Sequence, residues 1–357
     1  MSQVYLSTRR FLLRKSLREL RPRWLRVVPN LTLHWARSTL EQHGLIAPAL
    51  RHRHLRPISV ALQLTRHCNY RCMFCTVNDL VSDGDGTSAV TLVDFRRLLG
   101  RPLLSRCVRL SLTGGEPMLA PDVFAIIREA KRRIPVVTMN TNFSLIKRQV
   151  DAVNDSGLDM INISLYAPNE LLVRKFSPKL SPRIYKRLSF VVNPRDRYHH
   201  FARIPEVAQL AVDLGFQALY LQNYLPPSDL DRSSPRLENQ TSLSALRTYD
   251  ESFEAIRADV ERRFAPLLAI AWPSLPGGDD GVRRCRQPDT QILIDPDGSL
   301  APCCILDPAP RFGNVHSPED WSSDAMASVR RGLKVRGAPL DAGCRNCPFL
   351  SKDMFDA

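Results

Sequence analysis

The stretch Ile58-Ser59-Val60-Ala61-Leu62-Gln63-Leu64-Thr65-Arg66-His67-Cys68-Asn69-Tyr70-Arg71-Cys72-Met73-Phe74-Cys75 decides how this 357-residue chain is read. Ile58 to Leu64 places branched apolar residues at every second position, the pattern of a β-strand. The strand runs directly into three cysteines spaced C-x3-C-x2-C. Three thiolates on one short loop can hold three irons of a [4Fe–4S] cube and leave the fourth open to a small-molecule ligand. An electron-transfer cluster normally takes four cysteines, and a structural zinc site fills its tetrahedron. Zinc pairs usually come as C-x2-C or C-x4-C, so the mixed spacing argues against a zinc knuckle.

Strand followed by loop chemistry is the arrangement of a parallel α/β barrel, whose sites lie at the C-terminal ends of its strands. Further strand-like runs follow at Val108–Leu112, Val136–Met139, Met160–Leu165, Leu188–Val192 and Ala218–Leu221. Helical patterns lie between them at Leu92–Leu99, Pro121–Arg133, Ile146–Ser156 and Pro205–Leu214. This alternation predicts an α/β fold with a mostly parallel sheet and right-handed crossovers. The second strand ends in Thr113-Gly114-Gly115-Glu116-Pro117. Two glycines let the backbone approach a ligand closely, and the proline stiffens the turn. Between the fourth and fifth strands, Ser177-Pro178 and Ser181-Pro182 break the run Tyr166 to Arg187, which leaves scarcely enough room for a full crossover helix.

The remaining cysteines are Cys107, Cys285, Cys303, Cys304, Cys344 and Cys347. Cys107 precedes a strand and reads as a buried apolar residue. Around Ile292-Leu293-Ile294-Asp295-Pro296-Asp297-Gly298-Ser299-Leu300-Ala301, a strand, an Asp-Gly turn and a second strand make a β-hairpin. Cys285 and Cys303 lie beyond its two ends, and Cys344-x2-Cys347 supplies a second pair in one tight turn. Four thiolates complete a [4Fe–4S] cluster or a zinc site equally well.

The cysteine loop resembles the signature of the radical S-adenosylmethionine (radical SAM) enzymes. That resemblance implies a partial (β/α)6 TIM-like barrel in which Cys68, Cys72 and Cys75 hold a [4Fe–4S] cluster whose open iron chelates SAM. Reductive cleavage of SAM then gives a 5′-deoxyadenosyl radical. It assigns Phe74 to the neighbourhood of the adenine, and Gly114, Gly115, Glu116 and Pro117 to the amino group of SAM's methionine. Asn142 and Ser164 match positions that touch the methionine or ribose, and Arg174 is the nearest match to an arginine for the SAM carboxylate. The tail resembles the SPASM/twitch extension, whose C-x(n)-G-x4-C element and later C-x2-C are matched by Cys285, Gly298, Cys303, Cys344 and Cys347. Arg311-Phe312-Gly313-Asn314-Val315 and the helical Trp321–Lys334 follow the same layout. With no cysteine after Cys347, the closer likeness is to the single-cluster twitch form of the butirosin-pathway 2-deoxy-scyllo-inosamine dehydrogenase group. Cys304 could replace Cys303 as ligand, though the x4 count favours Cys303.

The expected organisation is a basic helical extension (1–56), the barrel (57–245), a bridging helix and linker (246–275), with a helix from Leu243 to Phe264, and the auxiliary-cluster domain (276–350). The chain carries a net charge of +14. Most of it lies in residues 1–56, where twelve basic residues stand against Glu19 and Glu41. Leu13, Leu17 and Leu20, with Trp24, fall on one helical face until Pro22 and Pro29 interrupt. Such an arm can lie on an anionic membrane, grip RNA, or pack on the barrel with a solvated basic face. No run approaches the length of a membrane-spanning helix, and no secretory signal is evident. Thiolate-rich motifs suit a reducing compartment, so a cytoplasmic enzyme is expected, with the arm able to hold it at a membrane surface.

The resemblance implies a radical SAM oxidoreductase that abstracts hydrogen from a substrate C–H bond, with an external electron donor of flavodoxin or ferredoxin type. The closed four-cysteine set favours an auxiliary cluster that accepts an electron, as in oxidation of an alcohol carbon of a small molecule. For the accompanying proton, Tyr166, Lys175, Gln222 and Tyr224 are candidates at the barrel mouth. A SPASM-type peptide maturase and a non-catalytic iron–sulfur scaffold or electron carrier are the alternatives. Intact Cys68/Cys72/Cys75 and Gly114-Gly115-Glu116-Pro117 argue against the scaffold.

Overall fold

The computed structural model describes residues 22–42, 56–72, 75, 89–104, 106–194, 196–223, 250–273, 285, 287–304, 306, 310–317, 323–334, 338–341 and 344. A long helix, α1 (Pro22–Gln42), precedes β1 (Ser59–Thr65), α2 (Leu92–Leu99), β2 (Arg109–Gly114), α3 (Val123–Ala130) and β3 (Val136–Thr141). Next come α4 (Val150–Asp155), β4 (Met160–Ser164), α5 (Glu170–Phe176), β5 (Tyr185–Val192), α6 (Ile204–Asp213) and β6 (Ala218–Asn223). After them stand α7 (Glu251–Phe264), β7 (Ala269–Ala271), the short α8 (Gln287–Thr290), β8 (Gln291–Ile294), β9 (Leu300–Ala301) and α9 (Asp324–Lys334). The strands form one sheet in the order β7-β6-β5-β4-β3-β2-β1-β8-β9. Neighbours from β7 through β8 pair in parallel, and only β9 runs antiparallel, against β8.

All six expected strands are present, each within a few residues of its predicted ends. Val60, Leu62 and Leu64 of β1, with Leu110 and Leu112 of β2, pack with Phe95, Leu98, Ile126 and Ile127 of α2 and α3 in one continuous core. The alternate positions face away from the helices, into the concave interior of the sheet. Thr91 begins α2 by a reciprocal cap: its hydroxyl accepts the Asp94 N–H at 3.2 Å while the Asp94 carboxylate accepts the Thr91 N–H at 3.2 Å.

The β4–β5 crossover has room only for a short helix, α5, whose seven residues make two turns before Ser177-Pro178 tightens the chain into a 3-10 turn. Two expectations are corrected. Beyond the six strands, β7 adds a seventh parallel strand beside β6, in the segment expected to be linker. Pro22 opens α1, where a missing N–H is harmless, but Pro29 lies inside the helix and does not interrupt it. Pro29 forfeits one backbone hydrogen bond; the anchoring of the same turn offsets that loss. Val27 is buried, and the Asn30 amide donates towards the carbonyls of Arg106 at 3.3 Å and Arg56 at 3.4 Å. His34 Nε2 lies 2.7 Å from the Arg56 carbonyl. These carbonyls immediately precede β1 and β2, so α1 caps the N-terminal end of the barrel. Leu13, Leu17 and Leu20 lie outside the described residues.

On the same side, the Asp159 carboxylate is fully buried before β4, accepting the Val137 N–H at 2.7 Å and the Lys131 ammonium at 2.5 Å. Removing it takes the carboxylate away from a mostly buried ammonium and from the Val137 N–H at once. Asp159→Ala is therefore expected to cost about 3 kcal/mol in denaturant unfolding; a loss below about 1 kcal/mol would show that this pair does not hold α3 to β4.

Candidate functional site

At the C-terminal edge of the sheet, the end of β2 lies against the end of β1. Gly114 has φ +122°, and a Cβ there would stand 2.3 Å from the Thr65 carbonyl oxygen. A Cβ on Gly115 would stand 2.0 Å from the His67 carbonyl oxygen. Both glycines are thus required by backbone meeting backbone, a closer constraint than the ligand approach read from sequence. The Gly115 N–H donates to Thr65 O and the Glu116 N–H to His67 O, each at 2.8 Å. Glu116 is completely buried, and its carboxylate accepts from Thr141 Oγ1 at 2.7 Å, the Asn142 N–H at 2.7 Å and the Met118 N–H at 3.0 Å. Burial pushes this carboxyl above its usual range, against the three hydrogen bonds. Glu116 is thereby a brace between the ends of β2 and β3.

The loop so clamped carries Cys68, Cys72 and Cys75, all partly exposed, with the Cys75 N–H donating to Cys72 O at 3.1 Å. Each thiol lies near enough to the other two for their charges to interact. Among the described residues, no three His, Cys, Asp or Glu side chains gather tightly enough to hold a single metal ion. Cys68 Sγ is met by the Tyr70 N–H at 3.4 Å and by Asn142 Nδ2 at 3.6 Å, donors of the kind that support a thiolate ligand. Burial, then the neighbouring thiols, push the metal-free Cys72 thiol up to about 12, so a bound cation must displace its proton.

Asn142 also donates to Asn69 Oδ1 at 3.0 Å and accepts from Ser144 Oγ at 2.6 Å, which places it under the cysteine loop. Ser164 ends β4, its carbonyl accepting from Asn169 Nδ2 at 2.7 Å; the same amide donates to Asn142 O at 2.5 Å. Tyr166 reaches the site. Its hydroxyl bonds to Cys72 and Ser164, and its ring meets Tyr70 at 6.2 Å and His199 at 6.1 Å. Burial first, then the thiols, push its phenol upward. Arg174 is exposed on α5 and paired with Glu170 at 2.7 Å, and Lys175 is exposed beside it. Gln222 Oε1 accepts from Ser189 Oγ at 3.1 Å inside the barrel. Phe74 and Tyr224 lie outside the described residues. Sequence reasoning missed His199, a buried ring whose Nδ1 lies 3.0 Å from Val191 O and which burial holds below its usual pKa. It sits in a loop with no motif around it.

In the C-terminal part, Cys303 and Cys344 are buried, Cys285 is half-buried and Cys347 lies outside the described residues. Cys304 lies near Tyr220 of β6. Cys107 is buried, its thiol 3.0 Å from the Arg109 carbonyl oxygen. The β8–β9 turn is latched to the cysteine loop: Arg66 bonds the buried Asp295 and reaches Asp297 at 3.2 Å. Nothing local in the sequence announces this pair.

Gly115→Ala must push β2 off the cysteine loop. We expect it to lower stability by about 2 kcal/mol or more and to cut the iron retained per chain after anaerobic reconstitution at least by half. Full iron retention would show that the seam does not seat the loop.

A profile of the radical SAM superfamily matches residues 62–220, and a profile of the SPASM iron–sulfur cluster-binding domain matches residues 285–348. The probable GTP 3′,8-cyclase of Thermococcus kodakarensis is 30% identical over 140 residues, covering 38% of this chain and 40% of that protein. The chain thus spans less than half the length of that cyclase. The PqqA peptide cyclase of Ruegeria pomeroyi is 24% identical over 316 residues, covering 84% of this chain and 81% of that protein. Streptococcus suis SuiB, crystallised with its precursor peptide SuiA, shares the fold with a TM-score of 0.57 at 16% identity, covering 85% of this chain and 72% of that one. The cysteine loop and the braced Gly-Gly-Glu-Pro turn both lie within the first of these matches, so the chain carries a radical SAM domain over residues 62–220 and a SPASM iron–sulfur cluster-binding domain over residues 285–348.

Proposed function

We propose that this enzyme oxidises its substrate by abstracting a hydrogen atom from a C–H bond. The observation that carries the reading is the convergence of Cys68, Cys72 and Cys75 on the loop that β2 clamps to the end of β1. When bound there, the cluster with SAM supplies a 5′-deoxyadenosyl radical, and a second cluster at Cys285, Cys303, Cys344 and Cys347 supplies a one-electron acceptor. The chain's own contribution is position. Glu116 and Asn169 fix the strand ends that carry the loop, Asn142 and Tyr166 donate to its sulfurs, and the Arg66–Asp295 pair holds the C-terminal turn beside it.

The reaction fitting these parts is loss of two hydrogens from the substrate, as in alcohol dehydrogenation. A second reading, maturation of a peptide, is supported by the alignment with PqqA peptide cyclase across most of both chains. Co-expression with short open reading frames flanking the gene separates the two: a peptide lighter by two or more hydrogens supports maturation. Peptides of unchanged mass leave the small-molecule reading.

Anaerobic reconstitution should give about eight irons per chain, falling to about four in the Cys68/Cys72/Cys75→Ala triple variant. The wild type should release 5′-deoxyadenosine from SAM under reduction, and the triple variant none. About four irons falling to none would remove the electron acceptor from the proposal. For the basic arm we propose a surface contact with anionic lipid, supported by its charge and by Trp35, 69% exposed on α1. Deleting residues 1–21 should weaken binding to anionic vesicles about tenfold or more, and unchanged binding would dismiss that role.

A further inference from the structure

Two arginines stand inside the barrel without acidic partners among the described residues. Arg109 begins β2 and Arg187 lies on β5, both on the alternation that faces away from the helices. The two strands are separated in the sheet by β3 and β4, yet the guanidinium charges interact, which only a curved sheet allows. Arg109 donates from Nε to Ser59 Oγ at 3.0 Å and from Nη2 to Gln291 Oε1 at 3.4 Å. Arg187 donates from Nε to Asn162 Oδ1 at 2.8 Å and lies over the Tyr220 ring at 5.0 Å. These partners are all neutral. No inward strand position from β1 to β8 is acidic. On β1, Gln63 is 5% exposed and its Oε1 has no hydrogen-bond partner among the described residues.

Two like charges held close in a confined space repel each other and lose hydration. Burial draws both guanidinium pKa values down, and for Arg109 the charge of Arg187 adds to the effect. Their planar forks keep donors suited to a carboxylate or phosphate. The Gln63 amide adds an acceptor for a ligand hydroxyl or N–H.

We infer that the floor of the barrel is a binding site for an oxyanion, a carboxylate or phosphate at one end of an extended substrate, held by Arg109 and Arg187. The site is distinct from the SAM end of the barrel. Gly114 closes β2 five residues above Arg109, about 17 Å away at the rise of a strand. The substrate carbon that reacts would then lie roughly 15 Å above its anionic end. Assignment of this anion to the substrate rests on the radical-enzyme reading, whereas the site itself does not.

The test is calorimetric titration of the reconstituted protein with inorganic phosphate and, separately, acetate, at constant ionic strength with chloride as the balancing anion. Saturable binding is expected in the wild type, weakened at least about tenfold by Arg109→Gln and by Arg187→Gln. Tighter binding of phosphate would point to a phosphorylated substrate, and tighter binding of acetate to a carboxylate. No saturable heat from either anion in the wild type would overturn the site even if the variants fail to fold. So would unchanged affinity in variants whose far-UV circular dichroism matches the wild type. Measured in parallel, absence of 5′-deoxyadenosine formation with anion binding intact would remove the radical reading and leave the anion site standing.

Discussion

Everything at the C-terminal edge of this sheet depends on β2 coming within backbone contact of the end of β1. Side chains at positions 114 and 115 would occupy the space of the Thr65 and His67 carbonyls, so glycine there is a condition for the two strand ends to meet. Once they meet, Thr65 O and His67 O receive the N–H groups of Gly115 and Glu116. The Glu116 carboxylate then reaches the end of β3, and Asn169 ties β3 to β4. The cysteine loop thus rises from a rim of four strand ends linked by hydrogen bonds. A loop that must present three sulfurs in fixed relation needs such support, because a displacement of one ångström in a supporting element becomes one at the cluster.

The same seam relates the two cysteine-bearing parts of the chain. β1 is flanked by β2 on one side and β8 on the other, so the strand that delivers the first cysteine loop also aligns the hairpin whose far end carries Cys303. Arg66 stands between them. It neutralises an aspartate with no solvent exposure of its own, and on removal of the guanidinium that carboxylate would be buried without a counter-charge. The latch therefore joins the two sites through charge as well as through the sheet.

How much of this was legible follows from how local each signal is. The alternation of Ile58 to Leu64 and the C-x3-C-x2-C spacing are local, and they located β1 and the loop. The Asp-Gly turn at Asp297-Gly298 is local too, and it located the hairpin. Ala269-Ile270-Ala271 carries no pattern of its own and becomes a strand only because β6 offers it an edge. Pro29 reads as a breaker until Asn30 is seen anchored to the carbonyls beneath β1 and β2. Lys175 reads as a mouth residue from its place after β4, but the short α5 turns it outward into solvent. Arg109 and Arg187 sit on a readable alternation, yet which face is the interior depends on where the helices pack. Arg66 and Asp295 are 229 residues apart, beyond any local pattern.

That separation bears on how the molecule is made. During synthesis β1 gains β2 within about fifty residues, but its other edge stays unpaired until β8, more than two hundred residues downstream, has been made. An exposed strand edge carrying Val60, Leu62 and Leu64 is a template for pairing with another chain. Long-range parallel pairing is also slow to form. Yield of folded protein should thus be governed by the time the nascent barrel spends open on the β1 side, and a chain cut short before residue 291 would keep that edge bare for its whole life.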